Sequence, residues 1–169
     1  MEVWQAANVG VFVVFYEMGP CKTQPAHKTD HWAEFVCSNS LGNNQSPSAP
    51  YLLKEELRKF NSLVINAGDT HAVPAGAALA VDRELFSKKI TEQLLEHPNI
   101  TLIRDEVTEI PSEGPVIVAT GPLTSPRLSE SISRLIGQEY LYFYDAISPI
   151  VDANTINYDK TFFASRYDK

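Results

Sequence analysis

Residues 10–17, GVFVVFYE, restrict the fold more than any other segment. The run is nearly all apolar, rich in β-branched and aromatic residues, and too short to span a bilayer. It predicts a strand buried on both faces, as in a parallel sheet covered by helices. Glu17 closes it. In dinucleotide-binding folds an acidic residue ends the second strand and bonds the ribose hydroxyls. Glu17 is correctly placed for that role if residues 10–16 are the second strand. The other reading is a solvated glutamate at a strand end, and the residues alone leave both open. Residues 1–8 look like the last turns of a helix entering from further upstream. The companion glycine turn, GxGxxG about twenty residues before the acidic residue, is not found, and neither is a Walker loop. The expectation is a partial Rossmann-like fold lacking the first strand and its glycine loop, which would leave the 10–17 strand without a neighbour on one side.

The rest of the chain alternates strands with helices. Residues 18–30 and 41–50 read as loops, on their Gly, Pro, Asn and Ser content. Leu53, Leu57, Phe60, Val64 and Ala67 share one helical face, with Lys54, Glu55, Arg58 and Lys59 off it and Gly68 ending the helix as a left-handed residue. Residues 77–81 read as a strand and Asp82 as the cap of a helix whose stripe is Phe86, Ile90 and Leu94. Arg83 either contacts a cofactor or supports that helix start. Residues 100–104 and 106–110 read as strands, and 115–120 as another buried strand running into Gly121. Ser125 and Pro126 open a helix with the stripe Leu128, Ile132 and Leu135, stopped by Gly137. Strands are expected at 140–144 and 161–164. This alternation predicts an α/β protein with a mainly parallel sheet.

A length of 169 residues allows one domain with a real core, and 44% hydrophobic with 21% charged residues is a globular balance. No secretory signal precedes the apolar run, so a cytoplasmic protein is expected. The net charge of −7 argues against a general nucleic-acid footprint; RNA contacts would need a local patch or sequence outside this chain. Cys21 and Cys37 form no CxxC pair, and His27 and His31, four apart, fall in an expected loop. No metal site and no disulfide are expected.

Three segments carry candidate chemistry. Cys37 is followed by Ser38, Asn39 and Ser40; its thiolate would be a strong nucleophile near a ligand, while the plainer reading is a buried structural cysteine. Residues 118–121 end an expected strand in small residues and Gly121, so a ligand can approach the backbone, or the segment is an ordinary strand-end turn. The aromatic cluster at 140–144 reads as packing rather than as a stacking platform.

The motifs YEMGP (16–20), PAH (25–27), FVCSNSL (35–41), LKEEL (53–57), VPAG (73–76), ALAVDR (78–83), ATGPLT (119–124), YLYFYD (140–145) and ASRYDK (164–169) occur together and in order. In this the chain resembles the amino-terminal part of the flavin- and folate-dependent tRNA uracil-5-methyltransferases, the TrmFO family. The related wobble-uridine enzymes of the GidA or MnmG group share the fold but not the CSNSL stretch. The resemblance implies FAD as a tightly held cofactor, and NADH or NADPH and methylenetetrahydrofolate as co-substrates. The implied reaction is methylation of carbon 5 of a T-loop uridine in tRNA. It implies that Cys37 belongs to the chemistry near the flavin and that Glu17, with Met18 beside it, binds the adenosine ribose. Val107 would offer backbone contacts to the adenine, and Ala119, Thr120 and Gly121 would pass the diphosphate. Ser38, Asn39 and Ser40 would line the flavin side. Residues 1–169 would form a partial FAD-binding domain, with about 35–80 an inserted active-site region.

The sequence departs from the family in lacking the glycine fingerprint and in ending before the family's second cysteine, which is proposed to attack uracil carbon 6. Gly19 stands where the family more often has a basic residue. The expected identity is therefore a fragment of such an enzyme, inactive in methyl transfer by itself. The alternatives are a non-catalytic nucleotide-binding remnant and a fragment of a GidA-type enzyme.

Overall fold

The computed structural model describes residues 2–19, 29–36, 38–121, 124–137 and 152–162. Helix α1 (Glu2–Asn8) leads into strand β1 (Val13–Tyr16), and the crossover returns at β5 (Ile100–Ile103). These two strands pair in parallel, Val13 opposite Ile100 and Tyr16 opposite Ile103. Between them lie β2 (Ser40–Asn43), α2 (Ala49–Lys59), α3 (Leu63–Thr70), β3 (Ala72–Val73), β4 (Ala78–Val81) and α4 (Arg83–Glu96). Strands β2, β4 and β3 form a separate antiparallel sheet with β4 in the middle. Helix α5 (Pro126–Ile136) and a 3-10 turn (Ala153–Thr155) follow. The α/β class and the parallel pairing agree with the alternation of elements. The antiparallel sheet is an addition that the alternation did not reveal.

One core serves both sheets. Phe86, Ile90 and Leu94 of α4 are buried with Val81, Leu63, Ala67 and Trp32, and Phe15, Ile100, Leu102 and Leu41 pack against this group. Full burial of such side chains stabilises by roughly 1.5–3 kcal/mol each. Asp82 caps α4 as expected, its Oδ1 accepting from the amides of Glu84 and Leu85 at 3.1 and 3.0 Å. Ser125 caps α5, Pro126 occupies its first turn, and Gly137 ends it with φ +68°.

Several expectations are corrected. Strand β1 is covered on one face only: Val14 and Tyr16 are exposed, as is Phe12, at 83%. Among the described residues the β1–β5 pair has a single packed layer, formed with α1 and α4, so its other face meets solvent. The single helix expected over 53–68 is two. Asn61 takes a left-handed conformation, φ +53°, and Ser62 caps a new helix, which leaves Phe60 exposed. Gly68 lies buried inside α3 and does not terminate it; a Cβ there would come within 2.8 Å of Leu41 Cδ1. The expected 41–50 loop begins as β2. Residues 106–110 and 115–120 form no strand. The second run pairs with nothing among the described residues, and Val116, Ile117 and Val118 are exposed. Residues 161–162 are not in a strand, while 140–144 and 163–164 lie outside the described residues.

Because α4 supplies the central stripe, its cap should be felt globally. Asp82→Ala is expected to cost about 1 kcal/mol and Asp82→Asn much less, measured by denaturant unfolding.

Candidate functional site

The carboxyl ends of β1 and β5 lie side by side. The Glu17 amide donates to the Ile103 carbonyl at 3.0 Å, carrying the parallel pairing one residue past Tyr16. The chain then turns, and the Gly19 amide donates to Glu17 Oε1 at 3.1 Å. The Glu17 carboxylate is half-buried, with Met18 beside it half-buried too. One oxygen is thus held by the backbone, and the carboxylate keeps acceptor capacity for a diol.

A second group forms around β2. The Asn39 side-chain amide donates to the Val81 carbonyl at 3.0 Å, and the Val81 amide donates to the Asn39 carbonyl at 2.9 Å. Asn39 is therefore turned toward β4 and anchors the segment. Ser38 is exposed and Ser40 half-buried; their hydroxyls accept from the amides of Ser40 and Gly42, two residues on, at 3.4 and 3.0 Å. From the far side, Lys54 Nζ donates to the Leu41 carbonyl at 2.9 Å. Lys54 lies off the apolar stripe of α2, yet it is only 3% exposed, whereas Leu53, on the stripe, is 56% exposed. Burial lowers the Lys54 pKa; the charge of Arg58 adds to this and Asp69 opposes it. Arg58 ties the same region together, forked onto Asp69 at 2.7 Å for both bonds, with Glu55 at 2.6 Å and Asn44 at 3.1 Å. These partners, Asp69 first, hold its pKa above the usual guanidinium value despite burial.

Val107 is half-buried in irregular chain, and Ala119, Thr120 and Gly121 are exposed. Gly121 has φ +64°, and its carbonyl accepts from Thr124 Oγ1 at 2.8 Å. Among the described residues no hydrogen bond or strand pairing joins residues 119–121 to the end of β1. Cys37 lies outside the described residues. Two surface hollows, one bounded by Trp4, Gln93 and His97 and the other by His71, Lys88 and Glu92, contain none of the predicted residues.

The sequence model of the family described as "Glucose inhibited division protein A" matches residues 3–169. The chain belongs to that family. It is 57% identical over 166 residues to the methylenetetrahydrofolate--tRNA-(uracil-5-)-methyltransferase TrmFO of Shouchella clausii, covering 98% of this chain and 38% of that protein. Proteins of the same name from Syntrophus aciditrophicus and Aquifex aeolicus are each 55% identical, with 98% of this chain and 37% of theirs covered. The chain thus spans less than two fifths of the length of these relatives.

For this family member, the structure places Glu17 and Met18 at one strand end and Ser38, Asn39 and Ser40 at the entry to β2. No described contact draws Val107 or residues 119–121 to either group. At the Glu17 end, a carboxylate held by the Gly19 amide closes a parallel strand. Sequence reasoning missed Lys54, because α2 presents this basic position to β2 while Leu53 of the expected apolar stripe is exposed. Among the described residues no helix is long and apolar enough to cross a membrane, and no group of three or more His, Cys, Asp or Glu residues could hold a metal ion.

The depressed Lys54 pKa gives a signed prediction. Between its folded value and the ordinary lysine value, the unfolded chain binds more protons than the folded one, so the Lys54 contribution rises with pH there. Relative to Lys54→Met, the parent should gain thermal stability as pH climbs toward about 10. A gap between the two that does not change with pH would refute the assignment.

Proposed function

We propose that this chain carries the adenosine-binding end and the flavin-side segment of a flavin- and folate-dependent tRNA uracil-5-methyltransferase. The observation that carries the reading is the 57% identity, over 98% of the chain, to a protein named for that activity. The ordered motifs at 16–20, 35–41 and 119–124 support it. FAD, when bound, supplies the redox and one-carbon chemistry, with NADH or NADPH and methylenetetrahydrofolate as the small co-substrates.

The residues of this chain have distinct tasks in that reading. Glu17 accepts from the adenosine ribose hydroxyls while Gly19 keeps the carboxylate in place, and Met18 lies against the same end of the cofactor. Ser38 and Ser40 offer hydroxyls to the flavin side. Asn39, committed to Val81, keeps that segment seated on β4. Cys37, in the same stretch, supplies a thiol beside the flavin. Val107 contributes backbone contacts near the adenine, and Ala119, Thr120 and Gly121 let the diphosphate approach closely because they are small or flexible there. Residues 1–169 act as part of a FAD-binding domain, with about 35–80, which hold the antiparallel sheet, as its inserted active-site region. The RNA is tRNA, the compartment the cytoplasm. A chain of net charge −7 needs the basic surface for RNA from outside this segment.

Titration of the purified chain with FAD and with FMN, followed by flavin fluorescence, tests the adenosine end. Glu17→Gln should weaken FAD binding by about tenfold, the value of one charge-assisted hydrogen bond. FMN, which lacks the adenosine ribose, should bind parent and variant alike. Equal FAD affinity in the two proteins would remove Glu17 from the ribose site.

A further inference from the structure

We propose that Arg104 is the positioning residue for the Glu17 carboxylate, fixing the turn that presents it to a ribose diol. This rests on the ribose reading of Glu17 and adds the side chain that sets its geometry. Arg104 follows β5 directly, and the bond from the Glu17 amide to the Ile103 carbonyl places it beside the end of β1. Its Nη1 donates to the Gly19 carbonyl at 2.6 Å, and its Nη2 reaches the Asp30 carbonyl at 3.4 Å. The guanidinium carbon stands 4.7 Å from the centre of the Trp32 ring, a cation–π distance.

Trp32 is a rigid platform for that contact. It is 7% exposed and meets Phe15 of β1 edge-on, at 5.4 Å between ring centres. Its amide donates to Thr91 Oγ1 at 2.9 Å, and that hydroxyl donates to the Ser87 carbonyl at 2.8 Å. A continuous path of contacts therefore runs from helix α4 through Trp32 and Arg104 to Gly19, and from the Gly19 amide to Glu17 Oε1.

Glycine is what makes the restraint necessary. Without a Cβ, residue 19 has wide backbone freedom, and its amide would leave Oε1 readily. Holding the Gly19 carbonyl removes much of that freedom. Lysine cannot substitute: its ammonium has no planar fork to meet two carbonyls while stacking on an indole.

Amide hydrogen exchange of the ligand-free chain, with FAD and FMN titrations beside it, tests the proposal. In Arg104→Lys the Gly19 amide should exchange at least about tenfold faster, while the Val13 amide, bonded to the Asn99 carbonyl at 2.8 Å, keeps its rate. The variant should lose about five- to tenfold in FAD affinity and nothing in FMN affinity. That loss should vanish when Glu17→Gln is already present, because both changes remove one interaction. An unchanged Gly19 rate, a parallel loss of FMN, or additive losses would overturn the proposal. If Glu17→Gln alone leaves FAD binding intact, the ribose reading fails, and the Gly19 rate by itself decides whether Arg104 holds the carboxylate turn. Should lysine speed Val13 as well, Arg104→Gln, which still donates to one carbonyl, replaces it. Acceleration at both amides in both variants would make Arg104 a general structural residue and refute the positioning role.

Discussion

Helix α4 is the contact on which the two sheets depend. Its stripe of Phe86, Ile90 and Leu94 meets Trp32 and, through it, Phe15 of the parallel pair. The same core takes in Val81 of the antiparallel sheet and Leu63 and Ala67 of α3. The parallel pair has one covering layer among the described residues, whereas β4 is buried at Leu79, Ala80 and Val81 in succession, on both of its faces. A two-stranded pair is marginal without a packed face, so loosening α4 would release the parallel pair and unseat α3, which packs on both α4 and β4. The Asp82 cap matters for this reason, since it fixes the start of the helix directly after β4 delivers the chain.

The candidate site inherits its geometry from that arrangement. Parallel pairing puts the carboxyl ends of β1 and β5 together, which brings a carboxylate and a guanidinium from distant parts of the sequence to one turn. Antiparallel pairing of β2 with β4 does the same for the serine-rich segment. Asn39 is joined to Val81 from one side and Leu41 is held by Lys54 from the other. In both places a flexible stretch is fixed by a side chain from another element that donates to a backbone carbonyl. Such bonds restrain the backbone without occupying the side chains that face outward.

The features that were legible in the sequence are those decided within a few residues. Asp82 before an apolar helix, Ser125 followed by Pro126, and Gly137 after the last helical turn all act locally, and each stands where the pattern placed it. The periodicity of Phe86, Ile90 and Leu94 was equally plain, because all three meet one core. Periodicity failed at α2 and α3. The stripe from Leu53 to Ala67 assumed one straight helix, but the left-handed Asn61 and the Ser62 cap rotate the second half away from the first. The strand expected over residues 115–120 also did not form: the run has strand composition but pairs with no strand among the described residues.

The sequence by itself determined the family, the α/β class, the start of α4 and both ends of α5. Those depend on chemical identity and short-range order, which a linear pattern preserves. Only the tertiary structure decided that Lys54 is buried against β2, that Asn39 anchors its strand, that β1 has one exposed face, and that Arg104 reaches Gly19. Each of these depends on which distant element lies alongside, and burial and hydrogen-bond partners are properties of that neighbour as much as of the residue itself.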